Sequence, residues 1–229
     1  MRNFFKITIL SFFPIFFMFI SCNNKTSQRL AEKLKSDSIF DSIQNVHTDS
    51  LARIAWGDAY FGISIDDARK TKVFKKASFY NNSFNELYGS AHLALADAEL
   101  RQMFVVHALF FNNRLYEIEL KTLTRNANYY DTYIRDAVDY LKDLIQEKYD
   151  IPTEYNGFPS FLQMQPGRER IAYGWKIGVK YIVITVKEVQ EGSEYLVYCH
   201  ITNSKESKPV DDYNKKLSDE REAKKVNSF

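Results

Sequence analysis

The sequence predicts an α+β fold in which two tandem units, each a helix followed by three antiparallel strands, pack their helices on one face of a meandering sheet. Three observations predict it. Several runs of strand length alternate apolar and polar residues, and two other segments carry helical signals. The links between successive strands are of hairpin length, which is too short for the crossovers of a parallel sheet. Strand runs separated by single helices are typical of the α+β class.

The first unit opens with a helix signal in "FGISIDDARKTKVF". Ser64 is followed three residues later by Asp67, which is the spacing of a capping box. Asp66 and Asp67 also complement the positive end of a helix. Capping explains these two carboxylates better than a catalytic pair does.

Three strands are predicted after this helix, over residues 88–98, 103–111 and 114–123. The middle run, "MFVVHALFF", is nearly all apolar, as expected of a central strand. Asn112-Asn113 suits a tight hairpin between the last two strands, because Asn tolerates a positive φ angle.

The second unit opens with the clearest helix, "YYDTYIRDAVDYLKDLIQEKYDIP". Its apolar residues recur at spacings of three and four and form one stripe, and Pro152 ends it. Strands are predicted again in "RIAYGWKIG", "VKYIVITVKE" and "EYLVYCHIT", with Glu191-Gly192-Ser193 as the last hairpin turn.

The N-terminus has the features of an export signal. Arg2 and Lys6 precede an uncharged apolar run, and Ser21-Cys22 follows it. This order resembles the signal and lipobox of bacterial lipoproteins, with Phe19 where Leu is commoner. The resemblance implies that residues 1–21 are removed and that Cys22 carries the lipid. An uncleaved membrane anchor and plain secretion are the alternatives.

The rest of the chain divides by composition. Residues 22–50 are polar and form a tether with room for a short amphipathic helix, residues 51–203 form one domain, and residues 204–229 are charged and expected to be disordered. Loss of the signal removes two of the 31 basic residues and leaves 29 against 29 acidic ones. A neutral chain without basic clusters is not expected to bind nucleic acid.

A second resemblance lies in "WGDAYFGISIDDARK". A Gly-x-Ser step, Gly62-Ile63-Ser64, opens a helix ahead of a sheet, which resembles small envelope lipoproteins of the SmpA/OmlA type. The doubled unit is similar to the β-lactamase-inhibitor-protein architecture. The helix-ending Gly-x-Pro of that family is replaced here by other residues. The resemblance implies a scaffold or binding role and names no catalytic residue.

No motif for metal, nucleotide or nucleophilic chemistry is found. His92, His107 and His200 fall on predicted strands and could converge on one sheet, but neither they nor His47 form a short-spaced ligand pair. We expect no metal, no cofactor and no catalytic residue. Cys199 is interpreted as a small buried apolar residue.

The remaining candidate contacts are aromatic residues in and beyond the loop 153–169: Tyr155, Phe158, Phe161 and Trp175. The first hypothesis is a non-enzymatic lipoprotein that binds an envelope protein, anchored at the outer membrane and facing the periplasm. The alternative is a lipoprotein that binds a small ligand, glycan or peptide through these aromatic residues, and an envelope hydrolase is the third. A large exposed apolar patch on the sheet favours the first hypothesis, and a concave aromatic pocket favours the second.

Overall fold

Nine strands form one antiparallel sheet in the part of the chain that the computed structural model describes. That part comprises residues 48–85, 89–96, 100, 104–190 and 194–226. The α+β class predicted from the sequence is confirmed. The helices are α1 (48–53), α2 (Ile65–Ala68), α3 (Arg135–Tyr149) and α4 (Ser204–Val226). The strands are β1 (Ile54–Trp56), β2 (Ala59–Tyr60), β3 (Ser78–Asn85), β4 (Gly89–Ala96), β5 (Phe104–Phe111), β6 (Arg114–Thr122), β7 (Arg125–Asn126), β8 (Glu154–Tyr155), β9 (Glu169–Ile177), β10 (Lys180–Gln190) and β11 (Glu194–Asn203).

The sheet joins two meanders. Its strand order is β3-β4-β5-β6-β11-β10-β9-β8, with β7 paired to the start of β11, while β1 and β2 form a separate hairpin. The contact between β6 and β11 therefore connects the first unit to the second. Antiparallel pairing fixes which residues face the same side, because directly opposed residues project together.

The main core lies between α3 and one face of the sheet. The apolar stripe predicted for this helix is confirmed: Ala137, Val138, Leu141 and Ile145 are all buried. A turn of π-helix, Tyr130–Ile134, leads into α3, and Asp150 ends it with a φ of 62°. Burial of a full aliphatic side chain contributes about 1.5–3 kcal/mol, so this stripe is what holds the helix on the sheet.

The helix cap at Ser64 and the hairpin turn at Asn112-Asn113 are present, but the capping box is only half formed, because the Asp67 carboxylate accepts from the Ser64 hydroxyl and from Lys70 instead of from the Ser64 backbone N–H. The Ser64 hydroxyl accepts a hydrogen bond from the Asp67 N–H at 3.1 Å and donates one to the Asp67 carboxylate at 2.8 Å. Asn112 and Asn113 have φ angles of 50° and 59°, as the tight hairpin between β5 and β6 requires. The capped helix α2 is shorter than expected and ends at Ala68.

The segment 204–226 departs from the prediction of a disordered tail, because it forms the helix α4. Val210 packs against Leu109 and Tyr116, and Arg114 donates two hydrogen bonds to Glu206, at 2.8 and 2.9 Å. The Tyr213 ring also contacts the Phe111 ring, with 5.6 Å between their centres. These apolar contacts and the ion pair hold a helix whose composition is otherwise polar.

Helix α4 lies on the face of the sheet opposite α3. Leu109 packs with α4, whereas its neighbour Ala108 belongs to the main core, and successive strand residues point to opposite faces. The two predicted helices, α2 and α3, both contribute to the main core. Helix α4, which the sequence did not predict, is an additional helix on the other face.

The first unit has one strand more than predicted. β3, "SFYNNSFN", pairs with β4 at the edge of the sheet. Its asparagines have low strand propensity, but an edge strand pairs on one side only and tolerates polar residues. The unit is therefore a four-stranded meander.

The signal peptide of residues 1–21, the tether up to residue 47, and His47 lie outside the described residues. Within the described residues, none of the helices has the length and apolar character needed to cross a membrane.

Candidate functional site

A cavity of about 720 Å³ opens between α3, the β1–β2 hairpin and the segment that follows α2. Strands β10 and β11 also contribute to its wall. Its volume lies within the range of about 300–1,000 Å³ typical of small-molecule sites. The apolar lining comes from Ala55, Trp56, Val73, Leu95, Ala96, Leu100, Tyr140, Leu144, Ile145, Ile182 and Ile201.

A buried lysine, Lys180, lines this cavity. It is the first residue of β10 and is 1% exposed. Its Nζ donates hydrogen bonds to the Ile54 carbonyl at 2.7 Å and to the Tyr149 hydroxyl at 2.8 Å, and lies 4.7 Å from the centre of the Tyr149 ring. Among the described residues no carboxylate lies within 4.0 Å of this ammonium group.

The electrostatics of Lys180 follow from that environment. Burial, and secondarily the positive charge of Lys148, lowers the pKa of Lys180 to about 7. A charged amine without a carboxylate partner in an apolar wall is costly, and natural proteins retain such groups mainly at functional sites. The geometry therefore marks the cavity as the strongest candidate site.

The mouth of the cavity is basic. Lys72, Lys75, Lys76 and Lys148 line it and are exposed. Its one lining carboxylate among the described residues, Asp58, accepts hydrogen bonds from the backbone N–H groups of Lys72 and Val73 at 2.8 and 3.2 Å, which lower its pKa. The arrangement can attract an anion and bury an apolar body.

The three strand histidines converge on the sheet face opposite the main core, as the sequence suggested they could. The rings of His92 and His107 are 5.6 Å apart, and His107, Glu119 and His200 stand directly opposite one another on β5, β6 and β11. No group of three or more His, Cys, Asp or Glu side chains in the described ranges is arranged to hold a metal ion.

His200 is held between two carboxylates. Its Nδ1 is 2.8 Å from Glu117 Oε1 and its Nε2 is 3.7 Å from Glu169 Oε2. Burial alone would lower the pKa of His200, but these carboxylates outweigh it and raise the pKa to about 10. The interaction with His200 lowers the pKa of Glu169 to about 2. The charges compensate each other, which indicates a structural ion-pair network.

Glu119 beside this network is less well satisfied. It is 6% exposed, and its Oε1 has no hydrogen-bond partner among the described residues. Burial raises the pKa of Glu119 to about 7.

The four aromatic residues singled out from the sequence do not form one site. Trp175 is 2% exposed, and its indole N–H donates to the Asp150 carbonyl at 3.0 Å. Phe158 packs against the main core, whereas Tyr155 and Phe161 are exposed. A second cavity of about 550 Å³ lies beside this loop. It is lined by Glu154, Asn156, Gly157, Pro159, Leu162, Gln163, Gln165, Glu169, Arg170 and Ile171.

Lys180 was not singled out from the sequence, although the alternation of residues along its strand indicates that it is buried. Ile182, Ile184 and Val186 occupy the same face of β10 and are buried. Continuing that alternation backwards by two residues places Lys180 on the buried face. A lysine in phase with a buried apolar stripe is the pattern that could have found it.

The two cysteines have different outcomes. Cys199 is buried and reduced, as the sequence predicted, and burial raises the pKa of its thiol to about 12. Cys22 lies outside the described residues.

Comparison of the chain with protein-family models, curated proteins and solved structures returns no match.

Proposed function

We propose that this chain is a lipid-anchored protein of the cell envelope that binds a small amphiphile, an apolar molecule with an acidic group, in the cavity beside α3. One observation carries the proposal: the apolar wall of the cavity contains the buried ammonium of Lys180, for which the described residues supply no carboxylate. A bound acid would supply the missing charge, and its apolar part would cover the surrounding aliphatic side chains.

This role corresponds to the alternative hypothesis from the sequence, at a different place. The proposed ligand occupies the cavity of α3 and β10, rather than the aromatic loop at residues 153–175. A concave aromatic pocket was the feature expected to favour ligand binding over a protein adaptor. This cavity is concave, but its lining is mainly aliphatic, with Trp56, Tyr140 and Tyr149 as its aromatic residues. No group of the cavity is assigned a catalytic role.

Anchorage through Cys22 to the outer membrane, with the domain facing the periplasm, is part of the proposal. It rests on the lipobox resemblance at Ser21-Cys22. Metabolic labelling with a fatty acid should mark the wild type and not Cys22→Ala. Equal labelling of both would remove the anchor from the proposal.

A protein partner stays a prediction. Crosslinking in native membranes, followed by co-purification with wild type and with Cys22→Ala, tests it. A reproducible partner that requires Cys22 would support an assembly role.

The ligand-binding role can be tested through Trp56, which lines the cavity. The full-length protein is placed in phosphatidylcholine vesicles and titrated with ω-bromodecanol and ω-bromodecanoate, whose bromine quenches tryptophan on contact. Saturable quenching by either probe is expected. Trp56→Phe should remove most of it, because Trp175, the other tryptophan, is not among the residues that line the cavity.

A matched pair of substitutions shows where the probe binds. Ala96→Phe narrows the cavity, whereas Ala223→Phe makes the same change on the exposed surface of α4. Quenching should weaken in Ala96→Phe and persist in Ala223→Phe. Quenching that is absent from the wild type, or equal in both variants, would refute ligand binding in this cavity.

A further inference from the structure

We infer that Lys180 and Tyr149 together recognise the carboxylate of a single-chain aliphatic acid, with the carboxylate inside the cavity and the chain along its apolar wall. This inference rests on the proposed ligand-binding function and specifies the ligand class. It concerns the orientation of the ligand as well, because the acidic group would lie at the buried lysine rather than among the exposed lysines of the mouth.

The donors for a carboxylate are already in place. The ammonium of Lys180 has three N–H donors, and the Ile54 carbonyl and the Tyr149 hydroxyl accept two of them. Because the Tyr149 oxygen accepts from Lys180, its own O–H remains a donor. The two groups are 2.8 Å apart. Because Lys180 is 1% exposed, one carboxylate receives a hydrogen bond from each of them once the side chains that cover the lysine move aside.

The charge of the site favours a monoanion. Lys180 is the one buried cation among the described residues that line the cavity, and it balances one negative charge. The other lining lysines are exposed to water, where an ion pair contributes little. The walls around Lys180, including Ile182 and Ile201, are aliphatic and match a hydrocarbon chain.

The exposed lysines of the mouth have a different part in this arrangement. A basic rim raises the local concentration of an anion and its rate of association, and this effect falls as salt increases. Removal of Lys75 and Lys76 should therefore slow association mainly at low salt. Removal of Lys180 should speed dissociation at any salt concentration, because the buried pair is poorly screened.

The test compares two probes that differ only in the acidic group. Full-length wild type, Lys180→Met and Tyr149→Phe, each in phosphatidylcholine vesicles, are titrated with ω-bromodecanoate and ω-bromodecanol, with Trp56 quenching as the readout. Lys180→Met should lose at least about tenfold in affinity for the carboxylate, as for a charged hydrogen bond. Tyr149→Phe should lose about threefold to tenfold.

The neutral probe serves as the folding control. Both variants should lose less affinity for ω-bromodecanol than for ω-bromodecanoate, because a hydroxyl makes a neutral hydrogen bond where a carboxylate makes a charge-assisted one. A carboxylate affinity unchanged in both variants, with quenching retained, would overturn the inference and leave the proposed function standing. Absence of quenching by both probes in the wild type would refute the proposed function itself.

Two further comparisons test where the acidic group binds and what its chemistry is. A loss of carboxylate affinity in Lys75→Gln/Lys76→Gln at high salt, without a loss in Lys180→Met, would place the acid at the mouth and overturn the inference. Decyl phosphate displacing ω-bromodecanoate more effectively than decanoate does would overturn the assignment to a carboxylate. Stronger displacement by decanoate supports it.

Discussion

Replacing Lys180 with methionine should change how the stability of the fold depends on pH. Burial holds the pKa of Lys180 near 7 in the folded protein, well below its ordinary value of 10.5. Between these two values the unfolded chain binds one more proton at this residue than the folded chain does. The free energy of unfolding of the wild type therefore receives a contribution from Lys180 that rises with pH across this window. Methionine does not titrate, so the variant lacks this contribution.

The size of the effect follows from the shift. One pH unit within the window corresponds to about 1.4 kcal/mol. From about pH 7.5 to about pH 9, the wild type should gain about 2 kcal/mol relative to Lys180→Met. No discount for solvent screening is needed, because the side chain is 1% exposed. The substitution also leaves the Ile54 carbonyl without its donor, which shifts the variant by the same amount at every pH.

Urea denaturation of the full-length protein, followed by tryptophan fluorescence at several pH values, measures this difference. Trp175 reports unfolding because it is buried in the main core. Lys76→Met is the matched control, since it makes the same chemical change at an exposed position on the cavity mouth. Its difference from wild type should stay constant over the window. Parallel stability curves for wild type and Lys180→Met would refute the view that Lys180 is buried without a compensating charge.

Three further predictions concern the other face of the sheet. His200→Gln should lower the free energy of unfolding most below about pH 6.5 and progressively less as the pH rises towards 10, since the folded protein holds the cation between two carboxylates. Urea denaturation measures this, and a loss of stability that is independent of pH would contradict it. A double-mutant cycle of Arg114→Gln and Glu206→Gln should give a coupling of about 0.5–1 kcal/mol, because Arg114 is 60% exposed; zero coupling would remove the ion pair from the account of α4. Val210→Asp should release α4, seen as faster amide hydrogen exchange over residues 204–226 with β10 still protected; unchanged exchange would show that this anchor is dispensable.

The stability curve of the wild type alone will not reveal the pH-dependent contribution of Lys180. The contribution of His200 is complete below about pH 6.5 and is lost as the pH rises through about 10, so it falls over the same window in which that of Lys180 rises. The two slopes oppose each other. Each becomes visible in the variant that removes the other residue, which makes the two substitutions complementary.

The parts of the fold that the sequence predicts are those fixed by local patterns. The stripe of α3 repeats at helical spacing, the Asn112-Asn113 step matches a positive φ angle, and Ser64 caps the helix that follows it. Each of these depends on side chains a few residues apart. A single sequence contains that information completely.

The parts of the fold that the sequence does not predict depend on contacts between distant segments. β3 is polar and becomes a strand because β4 offers it a pairing edge. α4 is held at Val210 by Leu109 and Tyr116, roughly a hundred residues away in the chain. The average composition of such a segment underestimates its order, because a well-placed apolar residue changes the average little and still fixes the helix to the sheet.

The cavity could be predicted only in part, because it depends both on local patterns and on contacts between distant segments. Its walls come from the β1–β2 hairpin, the segment after α2, β4, Leu100, α3, β10 and β11, so no short sequence motif indicates it. Its distinguishing residue could nevertheless be placed on a buried face from the alternation of β10. The sequence could not show that none of the carboxylates in the described ranges lies within 4.0 Å of the Lys180 ammonium, since that depends on how α1, β1 and α3 come together.

The half-buried His200 and the buried Lys180 show what the absence of a carboxylate means. His200 has Glu117 and Glu169 beside it, and its positive charge is retained in the folded protein. In the part of the chain that the structure describes, the hydrogen-bond partners of Lys180 are a carbonyl and a hydroxyl, and its charge is disfavoured. Both lie in the same sheet, on opposite faces, so their difference is one of partners. A carboxylate brought by a ligand would give Lys180 what the protein itself gives His200, and the hydrogen bonds that already orient the lysine would then serve to position that ligand.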